Sequence, residues 1–187
     1  MTTVEPVEEM KRAQAEADLE LAAWLFGLIE GQMTRADTKA GLVVAADSVF
    51  ATALLLAYRG TIFLIFDPAA SVPERLAGLL TIFLFFAILA STLFALIAAR
   101  PALKAHRDDE GTIFFFGRIS QMAHADYLEA FNSSHPKQLR HAILTEVHNT
   151  SQIATRKFKR IRYSLDFLIV GVLLWAAIQV LLALSPR

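Results

Sequence analysis

Three long apolar runs constrain this chain more than any other feature of it. A helix that crosses the ~30 Å hydrocarbon core of a bilayer needs roughly 20 mostly apolar residues. Residues 40–58, 76–100 and 163–184 each meet that length. The second run is the strongest: it carries no charge until Arg100, and Arg100 with Pro101 closes it at the interface. The first is weaker because Asp47 lies inside it. A carboxylate at the centre of a span costs ~2.5–3.5 kcal/mol on insertion scales, which the surrounding Leu, Val and Phe residues can offset. Residues 61–66, TIFLIF, are too few to span and are expected to pack at the outer surface. The chain is 55% hydrophobic, against ~45–50% for an ordinary soluble domain, and the excess sits in these blocks. They imply an all-α integral membrane protein: three transmembrane helices with a small cytoplasmic helical bundle.

Lysine and arginine set the orientation, because they accumulate on the cytoplasmic side of short loops. Lys11, Arg12, Arg35 and Lys39 precede the first span, and only Arg59 and Arg75 lie in the 59–75 loop. The long 101–162 segment carries Lys104, Arg107, Arg118, Lys137 and Arg140, then a basic run from Arg156. Three spans with the N-terminus inside place both charge-rich parts on the cytoplasmic face and the 59–75 loop outside. The start of the chain is acidic rather than basic, and no A-x-A-like cleavage site follows the first apolar run, so insertion is expected through uncleaved internal helices. The formal net charge is zero, which argues against a nucleic-acid binder. With no cysteine, there is neither a disulfide nor a thiolate site.

Residues 1–39 are expected to form a cytoplasmic amphipathic helix. Leu19, Ala22, Ala23, Phe26, Ile29 and Met33 recur at helical spacing, and the helix can run straight into the first span or bend near 34–38. In the 101–162 region, Gly111 and Gly117 bracket an aromatic patch at 114–116, and a short helix follows at about 120–131. Ser134 and Pro136 form a helix start. The helix beyond them, with Leu139, Ile143, Val147, Phe158 and Ile161 on one side, can continue unbroken into the third span.

Several polar groups stand out. At A-D-T-K-A, 36–40, Asp37 could accept hydrogen bonds from a ligand and Lys39 could pair with a phosphate. Spacing alone favours a plainer reading, an interfacial polar turn with a snorkelling lysine. Further on, His148, Asn149, Gln152 and Arg156 share one broad helical face, with Lys157 beside them. They offer donors, acceptors and a cation, which suits a polar anionic small molecule. The positive-inside rule and attraction to anionic lipid explain Arg160 and Arg162, but not His148 and Asn149, more than two turns further from the bilayer. Asp47, with Ser48 and Thr52, could line a membrane path, or it could be a neutral carboxyl that bonds a neighbouring helix. Ala87, Ser91 and Ala95 form a small-residue stripe that would permit close helix contact, and with it a homo-oligomer. The histidines show no metal-ligand spacing, and no nucleophile elbow, phosphate loop or dinucleotide fingerprint is present. The expectation is a protein with neither metal, cofactor nor enzymatic activity.

The motifs A-D-T-K-A before the first span, F-F-F-G, D-Y-L-E-A-F, and E-V-H-N-T-S-Q-I-A-T-R-K-F-K-R-I-R before the last give the chain a resemblance to the membrane-spanning Pycsar effector family, PycTM, from about Leu19 to Leu184. That resemblance implies a bacterial inner-membrane protein in antiphage defence. A partner pyrimidine cyclase would make cyclic CMP or cyclic UMP during infection. The effector would respond by impairing the membrane, arresting growth or killing the cell. Asp37, Lys39, His148, Asn149 and Lys157 occupy motif positions, and sensing would fall to the cytoplasmic helices, without a separate nucleotide-binding domain. The alternative is a non-catalytic membrane scaffold that recruits a cytoplasmic protein partner.

Overall fold

The computed structural model describes residues 5–58, 60–101, 113–114 and 116–185. Arg59, Lys104, Arg107, Gly111 and Phe115, which bear on the sequence reading, lie outside them. The elements in order are α1 (Glu5–Ala57), a 3₁₀ turn (Thr61–Ile65), α2 (Val72–Ala99), α3 (Phe116–Ile119), α4 (His124–Ser133) and α5 (Pro136–Ala183). No strand occurs among the described residues. α1, α2 and α5 each contain a stretch long and apolar enough to cross a membrane. The protein is thus an all-α membrane protein. α1 has 53 residues and α5 has 48, more than twice what a span needs, so the first and third apolar runs are each one end of a longer unbroken helix.

The chain divides into two compact units, Met1–Arg35 with Pro101–Thr155, and Ala36–Arg100 with Arg156–Arg187. In the first, the expected face of α1 is turned inward: Ala22 is buried and Leu19, Phe26, Ile29 and Met33 are half-buried, whereas Ala23 points out. Ile143 of α5 is buried, with Leu139 and Val147 half-buried beside it. An ion pair between Asp18 and Arg140 links α1 to α5. The start of α5 differs from the sequence reading. Ser134 belongs to the end of α4, donating its hydroxyl to Ala130 O at 2.6 Å. The residue that caps α5 is His135: its Nδ1 accepts the Lys137 N–H at 3.3 Å, and its own N–H donates to Gln138 Oε1 at 2.9 Å. A proline at the first helical position masks the cap one residue earlier, because imidazole is a less familiar capping acceptor than a serine hydroxyl.

The second unit holds the three apolar helix segments. Seven of the buried positions of α2, Ala77, Thr81, Leu84, Ile88, Ser91, Ala95 and Ala98, alternate four and three residues apart, with Gly78 and Ala87 buried beside them. α1 contributes Ala36, Ala40, Val43 and Asp47, and α5 contributes Lys157, Ile161, Ser164, Gly171 and Ile178. That spacing averages 3.5 residues, the step at which helices wind around one another with a constant seam. Small residues dominate the seam because, in lipid, helices associate through close packing and hydrogen bonds rather than through escape from water. The large apolar side chains turn outward instead: Leu42, Phe83, Leu173 and Val180 are all exposed, as hydrocarbon permits. Tyr58, Ala77, Leu84, Ile88 and Ile178 form one dry cluster, and Ala36, Ala40, Ala98 and Ile161 another. The stripe Ala87, Ser91 and Ala95 is buried within the chain, so the close contact expected of it is made intramolecularly and it does not provide a surface for self-association. The 3₁₀ turn lies directly on Gly78 of α2, where a Cβ would sit 2.8 Å from both Ile65 Cγ1 and Thr61 O. Glycine is what allows TIFLI to fold back there.

Candidate functional site

Polar side chains interrupt the apolar seam of the second unit at three levels. At one end, Asp37 of α1 forms an ion pair with Lys157 of α5. Ala36 and Ala40 present only methyl groups and pack with Ala98 and Ile161, which brings the helices close enough for Asp37 to reach across. The pair is lopsided: the Lys157 side chain is 6% exposed and that of Asp37 is 48%. An ammonium buried to that degree needs a partner, and Asp37 supplies it from the rim. Two further cations close this level. Lys39 Nζ lies 5.6 Å from the centroid of the Phe158 ring, a cation–π distance. Arg160 Nη1 donates to Ile97 O at 3.3 Å, satisfying one of the carbonyls that the last turn of a helix leaves open.

The middle level is centred on Asp47, which is 1% exposed. Its Oδ1 accepts from Ser91 Oγ and its Oδ2 from Thr92 Oγ1, both at 3.1 Å. Ser164 of α5 joins from the other side, with its hydroxyl 2.7 Å from Ser91 O and 3.2 Å from Ser91 Oγ. One polar knot therefore binds all three helices. In hydrocarbon the Asp47 carboxyl would otherwise lack any donor, which is why these groups converge on it.

At the far end, Gln179 Nε2 donates to Tyr58 Oη. Ser71 N–H donates to Glu74 Oε2 at 2.7 Å, and Ser185 Oγ donates to Glu74 Oε1 at 2.9 Å. The end of α5 is thereby fastened to the start of α2. These contacts also fix direction: α1 and α5 run parallel, and α2 runs against both.

Of the residues singled out in the sequence, the structure brings Asp37 and Lys157 together and places Lys39 over Phe158. His148, Asn149 and Gln152 belong to the first unit, where Gln152 Nε2 and His148 Nε2 are 2.9 Å apart, one turn along α5. Arg156 belongs to the second unit, exposed on α5. Asp47 bonds a neighbouring helix, but not in the company expected. Ser48 donates to Val44 O at 2.7 Å and Thr52 to Ser48 O at 2.9 Å, so both turn to their own backbone. Asp47 continues the Ala36–Ala40–Val43 seam, whereas Ser48 and Thr52 lie off it. Arg160, first read as a lipid-attracting charge, also has an internal acceptor. Thr92, Ser164, Tyr58 and Gln179 were missed; the last three were legible only as single polar breaks in apolar segments.

Residues 21–184 match the Pycsar effector protein domain, PycTM. The chain has no match among curated proteins or among solved structures.

Proposed function

The chain belongs to the PycTM family of Pycsar effector proteins, which act in antiphage defence, and from that premise we propose that it answers cyclic CMP or cyclic UMP by impairing the bacterial inner membrane. In this reading the N-terminus and the 101–162 region face the cytoplasm, a pyrimidine cyclase supplies the messenger, several copies act together, and the protein itself is not an enzyme. The observation that carries the proposal is the Asp37–Lys157 pair, which joins two helices that each extend from an apolar span to residues well beyond it. A cyclic nucleotide bears one phosphate charge and is a natural competitor with Asp37 for the Lys157 ammonium. Lys157 is screened by its partner, so the phosphate reaches it only in an arrangement where the pair has opened. A ligand that prefers that arrangement shifts the population toward it. Arg156, Lys39, His148, Asn149 and Gln152 are the further candidate ligand contacts, and Asp47 the candidate element of the membrane response.

The test is calorimetry on the purified protein with each cyclic nucleotide, joined to dye release from liposomes that carry it. Binding of cyclic CMP or cyclic UMP, leakage on its addition, and loss of both in Lys157→Met support the proposal. Flat titrations with every cyclic nucleotide would sink the sensor. A second reading, a scaffold that recruits a protein partner, draws on Leu21, Trp24 and Leu28, which make an exposed apolar stripe on α1 outside its apolar span. It requires a partner that is retained through purification whether or not a nucleotide is present.

A further inference from the structure

Within the second unit, α1 and α2 diverge on the side where the 3₁₀ turn folds back, and the space between them is a cavity of about 510 Å³. Its walls run from Ala51 to Tyr58 on α1 and from Thr81 to Thr92 on α2, with Ile62 and Phe63 of the turn at the top. The walls are hydrocarbon almost throughout. The two threonine hydroxyls are already committed: Thr81 donates to Ala77 O at 2.8 Å, and Thr92 lies 3.0 Å from Ile88 O and 3.1 Å from Asp47 Oδ2. Water is a poor filling, since a buried water needs two to four polar partners. On its outer side the cavity is open, rimmed by Leu55, Phe63 and Phe85, which are 65%, 70% and 54% exposed.

We infer that this groove holds one acyl chain of a membrane lipid, drawn from the leaflet that meets the α1–α2 connection. Three observations favour that occupant. The groove lies in an apolar span, so it opens onto hydrocarbon. The eleven steps of α2 from Thr81 to Thr92 rise ~16 Å, and one leaflet of a ~30 Å core is ~15 Å deep. At about 510 Å³ the cavity is many times the ~30 Å³ share of one water, which is room for a long chain. The occupant has a structural consequence. Its inner end meets Ile88 and Thr92, and Thr92 is one of the two residues that hold Asp47. A chain in the groove therefore packs directly against a residue of the middle polar knot.

The test uses the full chain in nanodiscs of phosphatidylethanolamine and phosphatidylglycerol, doped with a phospholipid that carries a photoactivatable group along its acyl chain. After illumination, the labelled residues are mapped by peptide mass spectrometry. The expected result is label concentrated several-fold on 51–63 and 81–92 over Leu173 to Val180, an outward apolar face of α5 without a groove. Leu89→Trp, which fills the groove from its rim, should bring the label there down to the α5 level without changing the label on α5. Even labelling of all outward faces would overturn the inference, leaving only the ordinary lipid shell. Label on Leu173 to Val180 but none on 51–63 and 81–92 would overturn it in favour of a second chain that covers the groove and excludes lipid. If Leu89→Trp does not fold, the distribution of label on the unaltered protein decides alone.

Discussion

Replacing Ser91 by alanine isolates the middle polar knot with little change in volume. Ser91 Oγ donates to Asp47 Oδ1 at 3.1 Å and lies 3.2 Å from Ser164 Oγ, while its carbonyl, which accepts from Ser164 at 2.7 Å, survives the change. One interhelical hydrogen bond is lost, to Asp47, together with the Oγ–Oγ approach to Ser164, whose own hydroxyl still donates to the Ser91 carbonyl. Such contacts average ~0.6 kcal/mol in membrane proteins, with a maximum near ~1.7. The buried Asp47 oxygen left without a donor adds to that, so the expected destabilisation is about 1–3 kcal/mol. Unfolding of the full chain in bicelles by titration with SDS measures it. Ser48→Ala is the control: Ser48 is next to Asp47 in sequence but bonds only its own helix, and its loss should stay within ~0.5 kcal/mol. A double-mutant cycle tests the assignment further. In an Asp47→Ala background Ser91→Ala should cost about half as much, because only the Ser164 contact remains to lose; strictly additive losses, within the ~0.3–0.5 kcal/mol that independent sites allow, would show that the two residues do not interact. A Ser91→Ala variant as stable as the parent would refute the knot itself.

Gly78→Ala should destabilise the second unit by about 1–3 kcal/mol, since the added methyl meets Thr61 O, a backbone atom, at 2.8 Å. Gly171→Ala should be milder in the same SDS titration, its tightest contact being the mobile end of Ile88 at 3.0 Å. Asp37→Ala removes the partner of a nearly buried ammonium. Full burial of the pair would make that 3–5 kcal/mol, but Asp37 is about half exposed and water can reach the ammonium from that side, so a loss of ~1–2 kcal/mol is expected. Exchange of the pair, Asp37→Lys with Lys157→Asp, should recover part of it, and no recovery would argue that Lys157 depends on something other than charge. Tyr58→Phe deletes the acceptor of Gln179 and should cost no more than ~1.7 kcal/mol, read from the same titration.

The spans were legible because length and apolarity are properties of one segment at a time. So was the amphipathic face of α1 between Leu19 and Met33, and so was the passage of α5 into the third span, since no proline, glycine or charge reversal interrupts it. What joins the segments was not. Asp37 and Lys157 are 120 positions apart, and each alone reads as an interfacial charge. The seam of alanines at 36 and 40 marks where α1 meets something, but not which helix or at what register. Burial compounds the difficulty. In a soluble protein a leucine stripe would mark the core, whereas here Leu42, Phe83 and Leu173 face outward and the contact mixes Ala, Ser and Gly with a few large residues such as Leu84 and Ile178. The polar breaks in the spans therefore held more of the tertiary information than the apolar residues around them.

The spacing of the three polar levels ties fold to membrane. Asp37 and Tyr58 are 21 residues apart on α1, and Lys157 and Gln179 are 22 apart on α5, which is ~31 and ~33 Å of helix. Both match the ~30 Å hydrocarbon thickness, so the outer levels sit where each leaflet gives way to its headgroups. Asp47 is ten residues from Asp37 and eleven from Tyr58, which places the middle knot near the bilayer centre, where water does not compete for its hydrogen bonds. The levels then differ in kind. The Asp37–Lys157 pair lies within reach of aqueous ions and can be exchanged for another anion at modest cost. The knot at Asp47 can open only by leaving its carboxyl without donors in hydrocarbon and parting Ser91 from Ser164, or by admitting water to them. A signal that parts α1 from α5 at the interface must therefore either stop at the middle level or wet it. Under the proposed function, wetting that level is the step at which the membrane ceases to seal.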